Sequence, residues 1–94
     1  MIGWTIELRK SAQRELRQLE DGPKRAAEEL LQDLAEGPTL VTAIEMRGNP
    51  GVWRARFHHE RYRMIYQISR GRKHILVTRI RPRPTAYEGM KGKA

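Results

Sequence analysis

Apolar and polar residues alternate in three stretches of this chain and recur at helical spacing in two others. Gly3 to Arg9 sets Trp4, Ile6 and Leu8 against Thr5, Glu7 and Arg9, the period of a half-buried strand. A helix is predicted next, from an N-cap at Ser11 to about Asp21. Ala12, Leu16 and Leu19 form its apolar stripe, and Arg14, Arg17, Gln18 and Glu20 its solvent side. Asp21-Gly22-Pro23 ends that helix and opens a second one over Pro23 to Glu36, where an early proline has no hydrogen bond to lose. Ala27, Leu30, Leu31 and Leu34 follow the i, i+3, i+4, i+7 rule of an amphipathic helix. Gly37-Pro38 closes it, with glycine as a left-handed cap and proline as the block to continuation. So short a connection predicts an antiparallel helix pair covering one face of a sheet.

The second half reads as strands. Ile44 and Met46 suggest a short one, followed by the turn Gly48-Asn49-Pro50-Gly51. Residues 52–68 then predict a hairpin with its turn near His59-Glu60-Arg61. On its first strand Arg54, Arg56 and His58 share one face, and Trp53, Ala55 and Phe57 the other. On its second strand Tyr62, Met64, Tyr66 and Ile68 alternate with Arg63, Ile65 and Gln67. After a turn over residues 69–73, His74 to Arg81 is expected to be a last strand. Alternation places Ile75, Val77, Arg79 and Arg81 on one of its faces, and Leu76, Thr78 and Ile80 on the other. Pro82 and Pro84 stop it, and the tail from Met90 to Ala94 is expected to fray. Strand, two helices and then consecutive hairpin strands indicate one α+β domain over residues 1–94, an antiparallel sheet with the helix pair on one face.

Charge is uneven along the chain. Of the net +8, residues 1–47 hold seven Lys/Arg against nine Asp/Glu, and residues 48–94 hold twelve against Glu60 and Glu88 alone. Nine of those twelve are arginine, the planar, forked phosphate ligand. A basic face can serve solubility, but this one favours a polyanion, and nucleic acid is the leading candidate. The absence of cysteine excludes disulfide and thiol chemistry and fits a reducing cytosol. No apolar run approaches the roughly 18 residues of a membrane span, and the start lacks a signal-like segment, so a cytoplasmic protein without a membrane partner is expected.

The chain has no glycine-rich phosphate loop, no HExxH and no GxSxG, and adjacent His58 and His59 on a strand would make a poor chelate. No metal or other cofactor is expected. Three groups remain: Arg54, Arg56 and Arg63 across the hairpin; Arg79, Arg81 and Arg83 at the end of the last strand; and Tyr87. Tyr87 either packs on the sheet edge or stacks a base beside guanidiniums that hold phosphates, as single-stranded RNA binding requires.

The runs Gly51-Val-Trp-Arg-Ala-Arg56, Tyr62-Arg-Met-Ile-Tyr-Gln-Ile68 and Arg79-Ile-Arg-Pro-Arg-Pro-Thr-Ala-Tyr87 resemble the RelE/ParE toxins of bacterial toxin–antitoxin pairs. The element order is similar along almost the whole chain. The Tyr-Arg-x-Ile-Tyr strand does not separate the activities of that superfamily, whereas Arg81 and Tyr87 point to its RelE-like branch.

That resemblance implies a ribosome-dependent mRNA endonuclease that enters the 30S A site, cuts the exposed mRNA and so inhibits translation. The 2′-hydroxyl attacks the adjacent phosphate, giving a 2′,3′-cyclic phosphate and a free 5′-hydroxyl. Its implied catalytic residues are Arg54, Arg56, Arg63, Arg81 and Tyr87, with Arg61, Lys73, Arg79 and Arg83 expected to contact RNA. Fixed cations around a phosphorane-like transition state would stabilise charge that develops only there, and Tyr87 would hold the scissile step splayed for in-line attack.

One departure concerns the base. The best-known RelE pattern has lysine where Arg54 and Arg56 stand, and arginine, which holds its charge throughout the ordinary pH range, is a poor base. His58, His59 or Glu45 is the expected substitute, with His58 favoured. Otherwise the reaction runs on cations and positioning. The alternative is a ParE-like toxin that poisons DNA gyrase without nuclease activity, and beyond it a basic binding module without toxicity. Both toxin readings imply an antitoxin partner whose acidic or amphipathic segment covers the basic face.

Overall fold

A computed structural model describes residues 3–90 of the chain. Strand β1 (Thr5–Leu8) leads into helices α1 (Lys10–Gln18) and α2 (Asp21–Glu36). A 3₁₀ turn at Pro38–Leu40 precedes β2 (Ala43–Glu45), β3 (Val52–Phe57), β4 (Tyr62–Ser69) and β5 (His74–Pro82), and a second one follows at Arg83–Thr85. The five strands form one sheet in the order β1-β5-β4-β3-β2. Four of them make the expected antiparallel ladder. The first strand joins the last one in parallel, pairing Thr5–Leu8 with His74–Val77, so the sheet is mixed. The expected fraying over residues 90–94 lies outside the described residues but for Met90. Among the described residues no helix is long and apolar enough to cross a membrane.

Several local expectations shift. Ser11 lies inside α1 and does not cap it; the N-cap is Arg9, with no side-chain cap bond. The cause is tertiary: the Arg9 N–H donates to the Val77 carbonyl at 2.9 Å, and the Arg9 carbonyl then accepts from the Gln13 N–H at 2.9 Å. The parallel ladder thus hands the chain straight to the helix. Glu20 is the extended N-cap of α2, which starts at Asp21, and Gly37 ends it with φ 159° and ψ 130°, not in the left-handed region.

Both helices cover the same sheet face. Ala12, Ala27 and Leu34 pack on Ala55, Phe57, Met64, Tyr66, Ile75, Val77 and Ile80, all buried. Each fully buried large side chain there contributes roughly 1.5–3 kcal/mol. The alternation read for β3 and β4 is observed, but that for β5 is not. Ile65 pairs Arg79 while Tyr66 pairs Val77, so Thr78 is an extra residue in β5. Strict alternation would set Arg79 and Arg81 on the face of Ile75 and Val77, under the helices. The bulge seats Ile80 in that core and returns both arginines to the open face.

Candidate active site

The open face is built by register. Arg56 pairs Arg63, which pairs Arg81, giving one row of three arginines across β3, β4 and β5. In the next row Arg54 pairs Ile65, which pairs Arg79. Directly opposed like charges repel, so local acceptors matter. Glu60 Oε1 lies 3.3 Å from Arg56 Nη1, and Glu15 Oε2 lies 2.6 Å from Arg81 Nε. Arg63 Nη1 donates to the carbonyls of Glu60, at 2.6 Å, and Tyr62, at 3.2 Å.

Arg54 and Arg63 are 9% and 4% exposed, and neither has a carboxylate partner among the described residues. Among those residues, the buried side-chain polar atoms without any hydrogen-bond partner are Arg54 Nε, Arg63 Nε and the Tyr87 hydroxyl. Orphaned buried donors are costly and rare in folded proteins. All three belong to side chains expected, from the resemblance, to act on RNA. A cleft of about 320 Å³ opens at Arg54, lined also by Thr42, Ala43, Ile44, Arg56 and Glu60.

The β3–β4 turn shapes this cleft at a conformational cost. His58, His59 and Glu60 have φ of 51°, 59° and 61°, left-handed values that cost a non-glycine residue roughly 1–2 kcal/mol each. The turn presents the Glu60 carbonyl to Arg63 and its carboxylate to Arg56. It also removes His58 from the arginine face, contrary to expectation. The His58 ring lies against the first turn of α2, where a Cβ on Gly22 would come within 3.1 Å of it, and 5.8 Å from the Tyr62 ring.

The other two candidate bases also lie outside the cleft. His59 is exposed, with its ring 4.7 Å from that of His58. Glu45 pairs Trp53 on the helix-side register and accepts the Gly51 N–H at 2.9 Å. The carboxylate that does line the cleft is Glu60, which the sequence identifies only as a turn residue.

The C-terminal segment folds back over the same face. Arg79 Nη1 donates to the Ala86 carbonyl at 3.0 Å and to that of Glu88, and Arg81 Nη1 to that of Thr85 at 3.2 Å. These bonds hold the segment around Tyr87 against Arg79 and Arg81, and Ile65 and Ala86 are fully buried outside the helix-side core. Burial and the neighbouring Arg81 guanidinium pull the Arg79 pKa below its ordinary value, while Glu15 and Glu88 oppose the shift. Arg61 and Arg83 are joined through the Arg83 N–H and Arg61 carbonyl at 2.9 Å, and with Glu60 they line an adjoining groove of about 400 Å³. Lys73 is not brought to this site. It lies in the β4–β5 turn, at the far end of β4 from Arg63, roughly 20 Å away at about 3.3 Å per residue.

A model of the ParE toxin family of type II toxin–antitoxin systems (parDE) matches residues 6–87. The chain belongs to that family. The match to these ParE toxins spans every arginine of the site and ends on Tyr87. Among solved structures, the RelBE2 toxin–antitoxin complex of Mycobacterium tuberculosis is similar, at 25% identity and TM-score 0.73, over 87% of this chain and 100% of that one. The isolated Escherichia coli RelE toxin shares the fold at 19% identity and TM-score 0.73, over 84% and 83% of the two chains. The Pyrococcus horikoshii RelE–RelB complex does so at 24% identity and TM-score 0.65, over 85% and 94%. No curated protein matches the chain. This ParE-family toxin is thus RelE-like in structure.

Proposed function

We propose that this toxin is a ribosome-dependent mRNA endonuclease. The observation that carries the reading is the set of orphaned donors on Arg54, Arg63 and Tyr87, beside the arginine rows of one sheet face. Two buried guanidiniums without carboxylates favour an anion of phosphate size, and a half-buried ring on the segment bonded to Arg79 and Arg81 favours an unpaired base. Mechanistically, the 2′-oxygen bonds to the adjacent phosphorus, the bond to the 5′-oxygen breaks, and a 2′,3′-cyclic phosphate and a 5′-hydroxyl result. Arg54, Arg63 and Arg81 neutralise the charge on the phosphorane, guanidiniums taking the part a metal ion plays elsewhere. Arg56, Arg61, Arg79 and Arg83 hold flanking phosphates, and Tyr87 stacks the base at the scissile step. With His58 outside the cleft, Glu60 is the acceptor at hand for the 2′-hydroxyl proton. The leaving oxygen takes its proton from solvent.

An antitoxin is the second partner in this reading. The M. tuberculosis and P. horikoshii relatives were solved as toxin–antitoxin complexes, and an acidic or amphipathic segment would complement the basic face. The test is incubation of purified toxin with ribosomes paused on a defined message. Cleavage in the A site with a 2′,3′-cyclic phosphate end, and little cutting of the same RNA when naked, is the expected result. Intact message under both conditions overturns it.

A second reading has its own support, because the matching family is that of ParE toxins. In it the toxin poisons DNA gyrase and cuts no RNA. Trapped gyrase cleavage complexes in cells whose mRNA stays intact select it.

A further inference from the structure

Glu15 belongs to none of the motifs that mark this chain, yet it makes two hydrogen bonds at the edge of the site. It sits on α1 with its side chain 18% exposed, and its carboxylate spans two groups of β5. Oε1 accepts the Ile80 backbone N–H at 2.8 Å, and Oε2 accepts Arg81 Nε–H at 2.6 Å. The first contact exists because β1 ends its pairing at Val77, leaving the rest of that β5 edge without a strand partner. The second fixes one side of the guanidinium, and the Thr85 carbonyl takes an Nη1 hydrogen at 3.2 Å. Of the five N–H donors of an arginine, these two contacts leave three for a ligand.

We infer that Glu15 is a positioning residue: it holds the Arg81 guanidinium in one orientation for the scissile phosphate, as outer-shell carboxylates orient the groups they bond. The inference rests on the nuclease reading. A carboxylate this close to a phosphate site weakens anion binding, so a role in affinity is the wrong expectation. Its value is orientation, which a freely rotating arginine lacks. The same carboxylate offsets the mutual repulsion of Arg79 and Arg81. A purely structural Glu15 would tie α1 to β5 and do nothing more.

The two roles predict different kinetics. Glu15→Gln keeps an oxygen for the Ile80 N–H but loses the charge-assisted bond to Arg81. On programmed ribosomes it should lower the single-turnover cleavage rate about tenfold, while affinity for a short single-stranded RNA stays level or tightens a few-fold. In an Arg81→Ala background the same substitution should change the rate no further. An equal loss in both backgrounds, or parental cleavage by Glu15→Gln, overturns the inference.

A readout independent of cleavage separates this outcome from failure of the nuclease reading. In the unmutated protein the Arg81 Nε–H should exchange with solvent more slowly than that of exposed Arg72. Fast exchange there removes the clamp whether or not the protein cuts RNA. Slow exchange without any cleavage would retain the clamp in the fold but overturn its catalytic purpose together with the nuclease reading.

Discussion

Arg56 and Arg63 stand directly opposite one another on the β3–β4 ladder, one exposed and ion-paired, the other 4% exposed without a carboxylate. The exposed member has the Glu60 carboxylate, and the buried member has only two backbone carbonyls. A cation held this way destabilises the free fold, and the compensation is expected from a ligand.

Replacing Arg63 with methionine should therefore separate stability from activity. Exchanging buried ions for packed apolar side chains is often stabilising, and a gain of about 1–2 kcal/mol in urea or thermal unfolding is expected for Arg63→Met. Message cleavage should fall by roughly 10²–10³-fold, the scale of losing one transition-state donor. A variant that is less stable than the parent would make Arg63 a structural residue.

Tyr87→Phe removes a buried hydroxyl that has no partner in the free protein. Unfolding should be unchanged or up to about 1 kcal/mol more favourable to the folded state. Growth arrest on induction should weaken for this variant, whose ring still stacks but whose hydroxyl can no longer donate to the RNA, and for Arg81→Ala. If both arrest growth as strongly as the parent, the assigned site is wrong.

Much of this arrangement was legible from residue pattern, and the parts that were not share a cause. The faces of β3 and β4 follow from alternation because Arg54, Arg56 and Arg63 obey a local period of two. The face of Arg79 and Arg81 does not, since the Thr78 bulge is set by pairing with β4. His58 continues the alternation of β3 in sequence, but three left-handed residues take it out of the strand. Glu15 and Arg81 are 66 residues apart, and the β1–β5 parallel pair joins the two halves of the chain, so neither contact has a local signal.

The left-handed turn offers a stability test away from the arginines. His59 is exposed at φ 59°. His59→Gly relieves the Cβ clash and adds chain entropy to the unfolded state, for a net gain of about 0.5–1 kcal/mol. Thermal unfolding measures it, and cleavage should stay at the parental level because the ring does not line the cleft. A loss of stability would mean that the His59 ring, packed on His58, holds the turn.

Alkaline unfolding should report on the core beneath the site. Burial pushes the Tyr66 hydroxyl up from 10.0 to about 12. The unfolded chain ionises first, so this group's contribution is fully present below pH 10 and is lost as pH rises from about 10 to 12. The loss is of the order of 2–3 kcal/mol. Tyr66→Phe should flatten that limb of a stability–pH curve, and an unchanged limb would assign it to other groups.

The orphaned donors also predict that anions stabilise the protein by mass action. A ligand that binds only the folded chain raises its stability by about 2.7 kcal/mol at a hundredfold excess over Kd. A short single-stranded RNA should thus raise Tm in proportion to the logarithm of its concentration, and added salt should weaken the effect as counterions compete. Arg54→Ala and Arg63→Met should each reduce the RNA-dependent shift, whereas Lys73→Ala, at the far end of the sheet, should leave it intact. A shift that survives loss of Arg54 and Arg63 but fails with Lys73 would move the RNA to the other end of the sheet.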